Sequence, residues 1–139
     1  MAIRIPTDQI ENLQQIEAVV AGPDGANRLF TVMGLISRQV FASGSERRET
    51  FTALVGPVFT RQQFIRAICT ASIPRTSFGA HTAPGDYRWG ITSNDADWDD
   101  ESGQVELRIE VFVFSNGTNN FAQIDGLSFQ VTILAALAA

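Results

Sequence analysis

Two segments of strict alternation near the C-terminus constrain the fold more than any other part of the chain. In residues 105–113 every second residue is apolar and Glu106, Arg108 and Glu110 lie between, and residues 127–133 repeat the pattern with Ser, Gln and Thr. A period of two places all the apolar side chains on one face of an extended strand. The polar residues 116–120 between the two segments are typical of a turn. The pattern therefore predicts two half-buried strands joined as a hairpin.

Turn signals divide most of the remaining chain into further strands. Extended runs in residues 50–55, 64–73 and 87–97 are separated by segments rich in Gly, Pro, Ser and Asp. Residues 99–103 predict a tight hairpin, in which Gly103 supplies the positive φ. Residues 74–86 predict a long surface loop, and a helix over residues 61–71 is the alternative to the second of these strands. Together these signals predict an all-β fold, an antiparallel β-sandwich of about six or seven strands in residues 41–139.

Residues 1–40 differ from the rest of the chain in the spacing of their apolar residues, and they predict an N-terminal arm. Ile10, Leu13, Ile16 and Val20 are spaced by three and four residues, which favours a short helix capped at Thr7 or Asp8. The apolar run in residues 29–40 fits a helix or a buried strand equally well. We expect the arm to be partly helical or extended. It either covers a sheet edge or forms an oligomerisation segment.

Composition excludes several classes of function. The 139 residues carry a net charge of -5 and 45% hydrophobic residues, so we expect a folded domain that does not bind nucleic acid, because phosphate binding requires a positive surface. No apolar stretch is long enough to span a bilayer, and the N-terminus turns polar too early for a secretory signal. We therefore expect a soluble protein. If it is extracellular or part of a particle, we expect it to reach that location by a route other than a secretory signal.

The residues that could carry chemistry are few. His81 is the only histidine and Cys69 the only cysteine, and no Ser lies in a strand-to-helix elbow, so we expect neither an enzyme nor a cofactor. Cys69 lies among apolar neighbours, which favours an unreactive thiol. An acidic cluster has partial calcium-loop spacing, but Asp100 stands where the loop requires Gly, which favours a solvated hairpin over a metal site. The calcium candidates in this cluster are Asp95, Asp97, Asp99 and Glu106.

An aromatic strand end provides the best candidate for a binding site. Phe112 and Phe114 lie on the opposite strand face from the alternating valines, and polar residues follow Phe114 directly. An aromatic ring edged by hydrogen-bonding groups suits a sugar, which has one apolar face and several hydroxyl groups. The competing interpretation is that both rings belong to the core. If the face is open, Phe114 stacks on the sugar, and the hydrogen-bonding residues are Arg88, Ser115, Asn116 and Asn119.

This order of strands and polar loops resembles the H-type lectin domain over roughly residues 41–137. The corresponding segments are residues 51–59, 64–73, 87–97, 105–115 and 124–135. The resemblance implies a six-stranded antiparallel sandwich that forms a trimer or a hexamer and binds carbohydrate, often N-acetylgalactosamine, at subunit interfaces.

The family's sugar site consists of an aromatic residue followed by His, an Arg, and an Asp in an early loop. At the matching positions this chain has Phe114 followed by Ser115, then Arg88 and Glu46, so it departs from the family at the His and the Asp. From the residues and the resemblance together, we predict a non-enzymatic, oligomeric carbohydrate-binding protein whose partners are itself and glycans. The alternative is a structural subunit of a larger assembly, such as a virion, a tail or a secreted particle.

Overall fold

The computed structural model describes residues 2–23, 25–79, 85–117 and 119–137. Within these ranges the chain forms nine β-strands and one short 3-10 turn at Thr7–Gln9, and it contains no α-helix. The strands are β1 (Ala2–Arg4), β2 (Ile10–Gly22), β3 (Gly25–Ile36), β4 (Val40–Ser43), β5 (Glu46–Val55), β6 (Phe64–Gly79), β7 (Tyr87–Trp98), β8 (Val105–Ser115) and β9 (Phe121–Ala136). None of the described residues form a helix long and apolar enough to cross a membrane.

The strands form two sheets that pack face to face. One sheet has four strands in the order β1, β5, β8, β7, antiparallel except for the short parallel pair of β1 and β5. In the other sheet β9 is central: β6 pairs along one of its edges, β3 and β4 pair in succession along the other, and β2 pairs outside β3. The prediction of an all-β sandwich is confirmed, with nine strands where the sequence predicted about six or seven.

The core lies between the inner faces of the two central strands. The inward residues of β8 are fully buried, and those of β9 face them from the other sheet. These side chains are Val105, Leu107, Ile109, Val111 and Val113 on β8, and Leu127, Phe129, Val131, Ile133 and Ala135 on β9. The alternation of apolar and polar residues in the sequences of β8 and β9 therefore corresponds to the alternation of side chains between the core and the outer face.

The predicted hairpin between these two strands is wrong. β8 pairs with β5 and β7, whereas β9 pairs with β3, β4 and β6. The chain passes from one sheet to the other between Ser115 and Phe121, so the two strands meet face to face across the core. Alternation specifies that each strand buries one face, but it does not specify whether two such strands share a sheet. The hairpin predicted at residues 99–103 does form, between β7 and β8, and Gly103 has a φ of 74°.

The predicted N-terminal helix is also wrong, because residues 10–22 form β2. Asn12 has a φ of 53°, and the pairing of β2 with β3 shifts register between Glu11 and Gln14. This irregularity, together with the solvent exposure of both faces beyond Ile10, leaves the strand without a two-residue period. The run that fitted a helix or a strand equally well is strand β3, which places Phe30 in the core. The division of the chain at residue 40 into an oligomerisation arm and a sandwich stays a prediction.

The strand predicted at residues 64–73 is confirmed as part of β6, and the helical alternative for residues 61–71 does not form. β6 continues through Pro74 to Gly79, so the first half of the predicted loop is strand, which corrects that prediction. The pairing of β6 with β9 shifts register between Ser72 and Arg75, where Pro74 cannot donate a ladder hydrogen bond. His81, which the sequence placed in the same loop, lies outside the described residues.

Candidate functional site

Phe112 and Phe114 lie on the outer face of the four-stranded sheet. They point away from the core because Val111 and Val113 point into it, and both rings are half-buried and outside the core cluster. The N-terminal strands do not bury them. Phe114 is flanked by Arg88 of β7 on one side and Glu46 of β5 on the other. Register thus places an aromatic ring, a guanidinium group and a carboxylate in one row across three strands.

Arginine side chains lie over both rings. The Cζ atom of Arg88 is 5.4 Å from the ring centroid of Phe114, and that of Arg48 is 5.9 Å from the centroid of Phe112. Arg88 also donates from Nη2 to Oδ2 of Asp86, at 2.9 Å. A cation over an aromatic face contributes about 0.5–1 kcal/mol at an exposed site. Any ligand that stacks on Phe114 must therefore share the ring with the guanidinium group or displace it.

Ser115 lies on the opposite side of the sheet from Phe114. Its hydroxyl is fully buried and accepts a hydrogen bond from the backbone N–H of Gly44, at 3.0 Å. The same hydroxyl donates toward the carbonyl oxygens of Ala42 and Asn120, each at 3.2 Å. Ser115 therefore connects the end of β8 to β4 and to the start of β9, and it does not share the surface of the predicted sugar site.

The two asparagines of the predicted site differ from each other in their roles. Asn116 accepts a hydrogen bond at Oδ1 from the backbone N–H of Asp86 and donates its own backbone N–H to the carbonyl of Asp86. These two bonds join Asp86, which precedes β7, to Asn116, which follows β8. Asn119 is exposed and has a φ of 69° in the connection between β8 and β9. Of the five predicted ligand residues, the structure brings Arg88 and Phe114 into contact and directs Ser115 inward.

Of the acidic residues at the other end of β7, Asp97 and Glu106 are cross-strand partners, and the others lie elsewhere on the strand and in the turn. Asp95 and Asp97 lie exposed on the outer face, and Glu106 accepts a hydrogen bond from Arg4 at 2.6 Å. Asp99 is in the turn, where its Oδ2 accepts from the hydroxyl of Ser102 at 2.6 Å and from the Ser102 N–H at 3.0 Å. These two bonds hold the pKa of Asp99 below its ordinary value. Among the residues that the structure describes, no three His, Cys, Asp or Glu side chains form a group that could hold a metal ion.

The single cysteine faces the seam between β6 and β7. Burial raises the pKa of Cys69, and the nearby carboxylate of Asp95 raises it further. The thiol donates a weak hydrogen bond to Oδ1 of Asn94, at 3.3 Å. These surroundings keep the thiol protonated at neutral pH, which reduces its nucleophilicity.

Sequence reasoning missed an aromatic cluster at the side of the sandwich where β6 faces β7. The ring of Phe78 is 60% exposed and lies 4.8 Å from that of Tyr87 and 6.1 Å from that of Trp89. The indole N–H of Trp89 donates to the carbonyl of Gln123, which fixes the ring that supports Phe78. The aromatic residues at positions 87 and 89 were visible as alternating positions, but Phe78 was assigned to a loop.

A second missed feature is a cavity of about 330 Å³ near the start of β6. Its lining consists of Arg61, Phe64, Ile65, Asp97 and Trp98. The Cζ atom of Arg61 lies 5.8 Å from the ring of Trp98, whose indole N–H donates to the carbonyls of Phe59 and Gly103. In the sequence, the feature that could have indicated this cavity is Trp98, which lies at the end of a predicted strand beside an acidic turn.

Comparison of the chain with protein-family models, with curated proteins and with solved structures found no match. The site must therefore be interpreted from its own geometry.

Proposed function

We propose that the protein is a non-enzymatic subunit of a homomeric assembly. The observation that carries this proposal is the exposure of large apolar side chains along both outermost strands of the five-stranded sheet. On β2, Ile16 is 57% and Val19 64% exposed, and on β6 Ile65 is 48% and Ile68 57% exposed. Apolar residues concentrated on long, open edge strands are typical of surfaces that another chain covers.

The composition of these edges supports the proposal. Edge strands that remain in solvent are commonly protected by Lys residues or inward-pointing charges, or by being very short. The 13 residues of β2 and the 16 residues of β6 contain no Lys, and each strand carries only two charged residues. Register shifts in both strands and Pro74 in β6 protect part of each edge, but residues 14–18 of β2 and residues 66–70 of β6 lie outside these features and carry one charged residue each.

The solution mass of the chain tests this function. Native mass spectrometry and light scattering over a range of protein concentrations are expected to show multiples of the 15.2 kDa chain. A monomer at every concentration would refute the proposal. The same measurement also tests the trimer or hexamer implied by the resemblance to H-type lectins.

A second candidate function is carbohydrate binding, supported by the aromatic rings at two places on the surface. Phe114 lies beside Arg88 and Glu46, and Phe78 projects from the cluster with Tyr87 and Trp89. Both places combine an apolar ring face with polar neighbours, as sugar recognition requires. Assembly would then supply multivalency for shallow sites.

A glycan array with two matched variants distinguishes these places. If Phe114→Ala abolishes binding and Phe78→Ala does not, the ligand lies on the outer sheet face, and the reverse result assigns it to the side cluster. Circular dichroism of each variant checks that the fold is retained. Absence of binding to every glycan by the assembled protein would dismiss this second candidate and leave the first intact.

A further inference from the structure

The five-stranded sheet has two long open edges of opposite character. Among the described residues, β2 pairs with β3 alone and β6 pairs with β9 alone, so each has one edge without a strand partner. Each of the three pairings that connect β2 to β6 is antiparallel, so β2 and β6 run in opposite directions. A second copy placed beside the first in the same orientation would therefore bring its β2 antiparallel to the first copy's β6.

Each edge has a register irregularity, and the two irregularities lie on either side of one row of the sheet. The register of β2 shifts between Glu11 and Gln14, and that of β6 shifts between Ser72 and Arg75. Glu11 and Ser72 are in fact members of one row that crosses the sheet through Leu35 and Ser128. Past the irregularity of β2, residues 14–18 of β2 and residues 66–70 of β6 occupy the same five rows without a register shift, and β6 shifts again between Phe64 and Arg66. Two edges that are regular over the same rows can form a continuous ladder.

The regular parts also match in hydrophobicity. Ile16 and Ile68 are the two ends of a single row, which runs through Thr31 and Thr132 on the outer face. Side-by-side copies in the same register place Ile16 of one copy next to Ile68 of the other. Cross-strand contact between two β-branched residues stabilises a sheet and removes both side chains from water.

The charges on the two edges are opposite. The only charged residues of β2 are Glu11 and Glu17, and the only charged residues of β6 are Arg66 and Arg75. Glu17 already accepts a hydrogen bond from Arg28 at 2.8 Å, so Glu11 carries most of the free negative charge of the edge. In the register set by the rows, Glu11 lies close to Arg75 of the adjacent copy. Pairing β2 with β6 brings opposite charges together, whereas pairing either strand with itself brings like charges together.

We propose that the partner at each open edge is a second copy of this chain, with β2 of one subunit adding antiparallel to β6 of the next. This inference rests on the proposed function and specifies how the assembly is built. Because the two edges differ, the contact is heterologous, and repeated contacts generate a ring if the rotation closes and a filament if it does not. Each added subunit extends the five-stranded sheet by five strands.

Two single substitutions, each blocking one edge, test the proposal. Ile16→Lys places a cation on β2 opposite Ile68 of the next copy, and Ile68→Lys places a cation on β6 opposite Ile16 of the next copy. Both side chains are 57% exposed in the single chain, so both variants are expected to fold. Each variant alone is expected to be monomeric at concentrations where the wild type assembles, with association weakened roughly 10- to 100-fold. Val58→Lys is the matched control, because Val58 is 70% exposed and lies outside both edges.

Mixing the two variants gives the decisive measurement. The intact β6 of the Ile16→Lys chain can still accept the intact β2 of the Ile68→Lys chain, so the mixture is expected to form a 1:1 dimer and nothing larger. If the wild type assembles but the mixture stays monomeric, or if either variant alone forms a dimer through its intact edge, the heterologous pairing is refuted and the assembly function stands. If the wild type itself is monomeric throughout, both the pairing and the proposed function are refuted.

Discussion

The strands β8 and β2 have similar lengths and opposite surroundings. β8 lies in the middle of its sheet, and its 11 residues alternate between buried and partly exposed positions. β2 lies at an edge, and beyond Ile10 its residues are exposed or intermediate on both faces. The comparison shows that a two-residue period marks a strand only where one face is buried. At an open edge no contact with the core selects that period, and the sequence can resemble a helix.

The largest effect that tests this comparison comes from shortening one isoleucine in each strand. Ile109 of β8 is fully buried, so Ile109→Ala is expected to lower the free energy of unfolding by about 2–5 kcal/mol. Ile16 of β2 is 57% exposed, so Ile16→Ala is expected to change it by no more than about 0.5 kcal/mol. Urea denaturation followed by circular dichroism measures both changes in unfolding free energy, at a protein concentration low enough for the chain to be monomeric. Equal costs at the two positions would contradict the assignment of β2 to an open edge.

The same contrast explains how much of the fold could be predicted. The inward residues of β8 and β9 were identified from alternation because burial imposes it. The hairpin between them was predicted wrongly because alternation carries no information about which strands pair. β2 was mistaken for a helix because Ile10, Leu13 and Ile16 have helical spacing, which arises here from a register shift and from exposure on both faces.

The next largest effect comes from the buried hydroxyl at the end of β8. Ser115→Ala removes the acceptor of the Gly44 N–H and the donor to the Ala42 carbonyl, in a site where the hydroxyl is fully buried. Loss of partners for buried polar groups is expected to cost about 1–3 kcal/mol of unfolding free energy. Ser128→Ala on the outer face of β9 is the control and is expected to cost no more than about 0.5 kcal/mol. Thermal and urea unfolding of the two variants check the difference, and a neutral Ser115→Ala would contradict the hydrogen bonds of the Ser115 hydroxyl to Gly44 and Ala42.

Ser115 also shows where prediction of the site succeeded and failed. Alternation correctly directed Phe112 and Phe114 away from the core, and the same alternation placed Ser115 in phase with the inward Val113, although it was assigned to the ligand. The contacts of Arg88 and Arg48 with the two rings depend on the register between β8 and its neighbours. Register is a property of the folded sheet, so these contacts could not be read from the sequence.

A smaller effect distinguishes the packed and open faces through two glycines. A Cβ atom at Gly34 of β3 would lie 2.5 Å from Cγ2 of Ile10 and 2.9 Å from Cζ of Phe129, both of which are buried. Gly34→Ala is expected to lower the free energy of unfolding by about 0.5–2 kcal/mol, because overpacking outweighs the entropic benefit of replacing glycine. A Cβ atom at Gly90, on the outer face of β7, would lie 2.4 Å from Cε1 of Phe112, whose half-buried ring can turn aside. Urea midpoints should therefore fall for Gly34→Ala and remain nearly unchanged for Gly90→Ala. A larger loss at Gly90 would show that Phe112 is held as tightly as a core residue.

The smallest effect concerns the turn that leads into β8. The hydroxyl and the backbone N–H of Ser102 donate to the carboxylate of Asp99 and hold the pKa of Asp99 below its ordinary value of about 3.9. Because the pKa is lower in the folded than in the unfolded protein, the stabilisation from this turn is present above about pH 4 and is lost as the pH falls through the folded value. A carboxyl-detected NMR titration is expected to show the pKa of Asp99 rising toward its ordinary value in Ser102→Ala, which removes the hydroxyl bond and retains the N–H. Ser93→Ala, on the same hairpin but away from the turn, is expected to leave that pKa unchanged. If the pKa of Asp99 were equally low in wild type and Ser102→Ala, the hydroxyl would not be its main cause.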